Sequence, residues 1–335
     1  MLLAGDIGGT KTHLAIFSAE AGPRRALVEA TFPSIEYPSL EVVVAAFLAG
    51  TSYPVTTACF GVAGPVVDGR ATVTNLPWRM EVNELGRSLG VPTVHLINDL
   101  EAIATAVPFL EPVDLHTLNA GKPARGGAIG VVAPGTGLGE GFLTWDAAAG
   151  RYRAQPSEGG HASFAPHSPL EVELLSFLQS RFGHVSCERV CSGQGLRNIY
   201  AFLKASGHAT EPAWLTERLA GVEDPNPIVV AAALDPREAC EICALTVELF
   251  VAILGAEAGN LALKVLATGG MYLAGGIPLR IRPALDSGFM GAFCRKGRFQ
   301  DLLAAIPVHV VINPATALFG AACYGLEHAS RDGGE

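Results

Sequence analysis

Charge is scarce in this chain, and none of it is concentrated. Only 16% of the 335 residues are Asp, Glu, Lys or Arg, the formal balance is −9, and no block of five Lys or Arg occurs. A nucleic-acid groove or an anionic membrane surface needs a basic field, so neither is expected as a partner. Long apolar runs are missing as well. The most apolar region, residues 244–277, is broken by Glu248, Glu257, Asn260 and Lys264, which makes it core helix and strand rather than a membrane span. The opening MLLAGDIGG has no basic n-region and no h-region, so no signal peptide is expected. The seven cysteines are odd in number and scattered, which fits a reducing cytoplasm better than a disulfide framework. Neither the pair Cys240 and Cys243 nor the group His184, Cys187 and Cys191 has an evident full set of four ligands, so buried thiols are expected there rather than structural zinc.

What the chain has is apolar mass. Hydrophobic residues make up 49% of it, which excludes disorder and allows a large core. Its length suggests about two domains. Low charge on a chain of this size also leaves apolar surface for a partner subunit to cover.

Strands and helices alternate, the mark of α/β architecture. Residues 2–7 and 12–17 read as two strands joined at Gly8-Gly9. Residues 58–67 read as a buried strand, with Asp68-Gly69 turning into a hairpin. The strand TVHLIN (93–98) ends at Asp99 and LEAIATAVPFL follows as a helix. A second strand–turn–strand unit spans 127–145, so the chain carries a coarse duplication, each copy opening one α/β half. Ser168-Pro169-Leu170-Glu171 has the pattern of a capping box, and Asp235-Pro236-Arg237-Glu238 offers a related cap for the next apolar helix. GMYLAGGI (270–277) is a strand entering a glycine turn, and 309–326 is a strand followed by a helix beginning near Pro314.

Two glycine turns carry the first chemistry. GDIGGTKT (5–12) and APGTGLGEG (133–141) put backbone N–H groups and a Thr hydroxyl at hairpin tips, where an anion can approach closely. Thr10 precedes Lys11, so there is no Walker A motif, and the second turn enters a strand rather than the helix of a dinucleotide fingerprint. Either turn could be an ordinary hairpin; the pair makes a phosphate cradle the better reading. Asp6 beside the first turn either caps it or holds a cation, with Mg²⁺ bound mainly through water the natural bridge to phosphate. Asn98 and Asp99 end a strand, where α/β sheets place ligands; Asp99 is either a base or a helix cap.

LAGDIGGTKT, GVAGPV, TNLPW, INDLEAIA, APGTGLGEG, SEGGHASFAP, GHVSCERVCSGQGL, GGMYLAGGI and NPATALFGAA follow one another in an order that resembles the bacterial glucokinase family over nearly the whole chain. The resemblance implies two actin-like ATPase (ribonuclease H-like) domains flanking a central cleft. The expected division is 1–110 plus 314–335 and 111–313. It implies ATP-dependent phosphorylation of glucose at the 6-hydroxyl, the opening step of glycolysis, with Mg²⁺ at Asp6. Gly5, Asp6, Ile7, Gly8, Gly9 and Thr10 would hold the nucleotide phosphates together with Gly135, Thr136 and Gly137, and Gly275 and Gly276 would lie beside the adenosine. Asp99 takes the role of catalytic base by the same resemblance, Asn98 that of a sugar contact, and Glu158, His161 and Glu188 complete the sugar set. Side chains of these types fix vicinal hydroxyls by paired hydrogen bonds, and the two glycines of SEGGH would let backbone approach the sugar. A homodimer is the family expectation.

The stretch SEGGHASFAPHS lacks the cysteine cluster of ROK-type sugar kinases, and the first strand opens the sequence, so a sugar-responsive repressor with a helix-turn-helix is not expected. Two rival readings stay open: a kinase for another hexose or with a polyphosphate donor, and an actin-like ATPase switch without a sugar.

Overall fold

Successive residues of the first strand point to opposite faces, and both faces are apolar. In the computed structural model, Leu3 and Ile7 pack on one side of strand β1 (Leu2–Ile7) and Leu2 and Ala4 on the other. The structure describes every residue except 74, 75, 239 and 333–335, and the side chains of 330–332 are also outside the description. The chain divides into two units, Met1–Glu111 with Tyr152–Ala154 and Asn313–Glu335, and Pro112–Arg151 with Gln155–Ile312.

In the first unit, β1 leads through a tight turn into β2 (Lys11–Phe17), then β3 (Val28–Pro33), α1 (Leu40–Ala49) and β4 (Thr57–Val62). A small sheet of β5 (Val66–Val67), β6 (Arg70–Thr72) and β7 (Arg79–Glu81) precedes α2 (Val82–Leu89), β8 (Thr93–Asn98) and α3 (Asp99–Ala106). The main sheet has the order β3-β2-β1-β4-β8; β1, β2 and β3 are antiparallel neighbours, while β1, β4 and β8 run parallel. Val43, Val44 and Phe47 of α1 cover one face, and Leu318, Ala321 and Ala322 of the last helix, Thr316–Asp332, cover the other. The expected strand over 58–67 is interrupted: Gly64 N–H turns back to the Val62 carbonyl (2.8 Å), and pairing resumes at Val66.

The second unit repeats the plan. After β9 (Leu115–Asn119) come β10 (Ile129–Pro134), β11 (Leu138–Asp146) and β12 (Arg151–Gln155). Helices α4 (Pro169–Phe182), α5 (Gly193–Ser206), α6 (Ala213–Leu219), α7 (Asn226–Leu234) and α8 (Glu241–Val265) follow. Then come β13 (Gly270–Leu273), α9 (Gly276–Arg280), α10 (Arg282–Phe293), α11 (Gln300–Ala305) and β14 (Val308–Val311), the helix Thr316–Asp332 being α12. The sheet order is β12-β11-β10-β13-β14-β9: again a glycine hairpin beside parallel strands, with β9 added at the edge in antiparallel sense. Helix α8 is long and apolar enough to cross a membrane, but most of it is buried in this unit's core against α5, α7 and α10.

Ser168 caps α4 as expected, its Oγ accepting from Glu171 N–H (3.3 Å) while the Glu171 carboxylate accepts from His167 N–H (3.1 Å). The cap expected at Asp235 is not one for α8. Asp235 closes the end of α7 and accepts from Arg237 N–H (2.9 Å), and α8 starts only at Glu241 with Cys240 at its N-cap. A short turn with its own Asp–Arg pair outcompetes the local capping signal.

Candidate active site

In the first unit, the turn after β1 is braced from a distance. Ser34 and Thr12, both fully buried, share a hydroxyl–hydroxyl hydrogen bond (2.9 Å). Ser34 Oγ donates to the Gly8 carbonyl (2.7 Å) and Ser34 N–H to the Thr10 carbonyl (3.0 Å), while Gly8 N–H donates to Lys11 O (3.0 Å). The Gly8, Gly9 and Thr10 backbone is thereby held in one conformation, as an anion cradle requires. Gly5, Asp6 and Ile7 belong to β1, paired with Leu14, His13 and Thr12. Burial, and then the charge of Asp99, push the Asp6 carboxyl up to about 6. Two acids from parallel strand ends therefore meet here.

Asn98 is the N-cap of α3. Its Oδ1 accepts from Leu100 N–H (2.9 Å), and its Nδ2 donates to Gly64 O (2.9 Å) and to the Asp99 carboxyl, which leaves a lone pair of Oδ1 for another partner. Asp99 is the first helical residue, with Oδ1 also accepting from Leu100 N–H (2.8 Å). Burial raises its carboxyl above the usual range, the hydrogen bonds from Leu100 and Asn98 opposing. A carboxylate so placed is a stronger proton acceptor than one in water.

In the second unit, Gly135, Thr136 and Gly137 form the tip between β10 and β11, with Gly135 N–H bonded to Gly137 O (2.8 Å). Gly193 N–H donates to Gly135 O (2.8 Å) and Asn226 Nδ2 to Gly193 O (2.9 Å), which ties the tip to the starts of α5 and α7. A cavity of about 650 Å³ opens beside it. Gly135, Thr136, Gly193, Gln194, Asn226 and Arg280 give it polar walls, and Val230, Leu234, Ile277 and Ile281 give it apolar ones. Gly276 also lines it, while Gly275 (φ +84°) backs onto the turn, where a Cβ would lie 2.7 Å from Pro134 O.

The sugar candidates of this unit surround the same β11 start. Glu188 accepts from Leu138 N–H (3.1 Å) through Oε2. Glu158 and His161 lie 3.8 Å apart on an open turn, with side chains 84% and 61% exposed, free to meet a ligand. Cys187 N–H donates to Ala162 O (2.9 Å), so the Glu158–His161 turn and the Glu188 segment are stitched together.

Thr74 and Asn75 of the TNLPW motif lie outside the described residues. The brace at Ser34 has no local sequence signal, nor do Asn226 and Arg280. Gly193 and Gln194 lie inside SGQGL, where a glycine pair at a helix start was the available clue. Among the described residues no three His, Cys, Asp or Glu side chains converge as metal ligands. Mg²⁺ needs no such set, because one carboxylate, water and phosphate oxygens suffice, and the enclosed Asp6 carboxyl fits that donor type.

Two sheets, each led by a glycine-tipped hairpin and continued by parallel strands, define the actin-like class of sugar kinases. A family profile described as "Glucokinase" matches residues 3–328. The chain is 41% identical over 337 residues to the glucokinase of Nostoc punctiforme, covering 96% of this chain and 98% of that one. The glucokinase structure from an Antarctic psychrotroph superposes with a TM-score of 0.83 at 31% identity, covering 97% of this chain and 98% of that one. The ROK family glucokinase from Streptomyces griseus, in complex with glucose and AMPPNP, has the same fold at 21% identity (TM-score 0.63; 97% and 99% covered). The chain belongs to the glucokinase family, hexose kinases that phosphorylate glucose.

Proposed function

We propose that this chain transfers the γ-phosphoryl group of MgATP to the 6-hydroxyl of D-glucose. The observation that carries the donor is the cavity beside Gly135 and Thr136: its apolar wall of Val230, Leu234, Ile277 and Ile281 suits a purine, whereas a polyphosphate donor has nothing to place there. Its polar rim includes the start of the 14-residue helix α5, whose N–H groups favour phosphate. A complex of the Streptomyces griseus relative with glucose and AMPPNP agrees with this donor and acceptor.

In this reading Asp99 takes the proton of the sugar hydroxyl as it attacks phosphorus. Asn98 holds a neighbouring hydroxyl through the free lone pair of its Oδ1, and Glu158, His161 and Glu188 fix others, so that an epimer leaves polar groups unpaired. Gly8, Gly9, Thr10 and Gly135 to Gly137 cradle phosphate oxygens. Asp6 would hold Mg²⁺ through water, where the ion supplies charge neutralisation between phosphate oxygens. We place the enzyme in the cytoplasm, as a homodimer; all seven cysteines are unpaired, as a reducing compartment keeps them. ADP release from MgATP with and without glucose, with the product resolved by NMR, tests the reading. Glucose should be required and glucose 6-phosphate formed; turnover indifferent to glucose would leave an ATPase switch instead.

A further inference from the structure

The two glycines of the Ser157–His161 turn are dictated by what lies beneath them. Gly160 lies on the Leu138 carbonyl and Gly159 on the Glu140 carboxyl, and a Cβ at either position would collide with that oxygen. Their smallness therefore serves close packing on β11. Glu140 is only 1% exposed and Glu257, on α8, only 5%. The Oε1 atom of each is buried without a hydrogen-bond partner.

This buried pair touches both segments that carry the proposed sugar contacts. Glu140 supports Gly159, between Glu158 and His161. Glu257 meets the thiol of Cys187, the neighbour of Glu188. One cation faces the pair directly: Lys264 Nζ lies 3.6 Å from Glu257 Oε1. Glu257 Oε2 accepts from Asn260 Nδ2 (2.9 Å). Lys296, from the end of α10, is occupied by Ala256 O (2.9 Å) and Asn260 Oδ1, and burial lowers its ammonium. Beyond it stands Glu171 of α4, paired with His167 (2.8 Å). Cys187 and the neighbouring Cys191 are held as thiols by burial. Lys264 at close range and Lys296 at longer range both favour the charge on Glu257, and a second carboxylate charge beside it in so enclosed a place is costly.

We propose that Glu140 is kept protonated beside Glu257, and that in this form it is a positioning residue for the turn that presents Glu158 and His161 to the sugar. The proposal rests on the glucose reading above. Burial and then the charge of Glu257 push Glu140 up to about 7, with Lys264 opposing. Glu140 accordingly sheds its proton as pH rises through neutrality. Repulsion between two carboxylates then works against the packing under Gly159, so sugar affinity falls while the phosphoryl-transfer step, which uses neither group, is spared.

The test is the pH dependence of glucose KM and kcat, between about 6 and 9, for wild type, Glu140→Gln, Glu140→Ala and Glu257→Gln. Gln keeps the shape of a protonated Glu and cannot ionise. We expect the wild-type KM to rise severalfold across neutrality and that of Glu140→Gln to stay flat. Glu140→Ala should raise KM on the order of tenfold at every pH, because the turn loses the packing under Gly159, with kcat within about twofold. Should that variant not fold, Glu257→Gln still decides, because removing the neighbouring negative charge makes Glu140 easier to ionise and must move the rise in KM to lower pH. A Glu140→Gln profile that superimposes on wild type, or a Glu257→Gln profile that does not move, overturns the proposal and leaves the glucose reading intact. A wild-type enzyme that neither binds nor phosphorylates glucose overturns both.

Discussion

Asp99 and Asp6 show how one neighbourhood can ask opposite things of two carboxyls. Asp99 has to accept a proton, and its raised affinity for one, caused by burial, suits that task. Asp99→Asn keeps the shape and removes the acceptor, so turnover should fall by on the order of 10²–10⁴ while glucose binds within about tenfold of wild type. A variant keeping half of wild-type kcat would take Asp99 out of the role. Asp6 costs stability instead. Its folded carboxyl titrates near 6, above its ordinary value of 3.8, so as pH climbs from 4 the unfolded chain ionises first and the folded state loses ground until about pH 6. Asp6→Asn should therefore be more stable than wild type at pH 7.5 by on the order of 1–2 kcal/mol, and nearly equal at pH 4. The same variant should need more Mg²⁺ and turn over more slowly. Denaturant melts at the two pH values and a Mg²⁺ titration check both halves; a variant less stable at pH 7.5 would show that Asp6 is a structural turn residue.

At the scale of elements, what could be read from sequence was what neighbouring residues decide together. The hairpin at Gly8-Gly9, the strand into Asn98 and the capping box at Ser168 are each set within a few residues, and each stands where expected. The Ser34 brace joins a turn to a residue 26 positions away, and Glu140 feels the charge of Glu257 from more than a hundred positions along the chain; no local pattern encodes either. Asp235 shows the converse, a local cap signal used by a different turn. Gly320 belongs to the long-range class. It sits where α12 crosses α3, and a Cβ there would overlap the Ala102 carbonyl. Since α3 begins with Asp99, pressure at this crossing should be felt at the proposed base. Gly320→Val should cost about 3 kcal/mol or more by overpacking, and whatever folds should lose kcat more than glucose affinity. A stable, fully active Gly320→Val enzyme would mean that the two helices separate freely.

The whole molecule repeats one plan in two units, but it does not divide the chemistry evenly. The residues proposed for proton transfer and for Mg²⁺ belong to the first unit, whereas every wall of the 650 Å³ cavity belongs to the second. With two units, unfolding need not be a single transition, and one melting temperature would hide which unit a ligand stabilises. Hydrogen exchange resolves it. A non-hydrolysable ATP analogue with Mg²⁺, at about 100-fold over its Kd, adds roughly 2.7 kcal/mol to whatever it binds. Slowed exchange is expected in residues 193–206, 226–234 and 276–280, the helices that wall the cavity. Inorganic polyphosphate at matched phosphate concentration should slow exchange at the glycine turns and leave 226–234 unchanged, because that helix offers it only Val230, Ala231 and Leu234 beyond its first turn. Equal protection of 226–234 by both compounds would remove the purine from the cavity and reopen the polyphosphate donor. Protection by the analogue confined to the first unit would place the nucleotide elsewhere altogether.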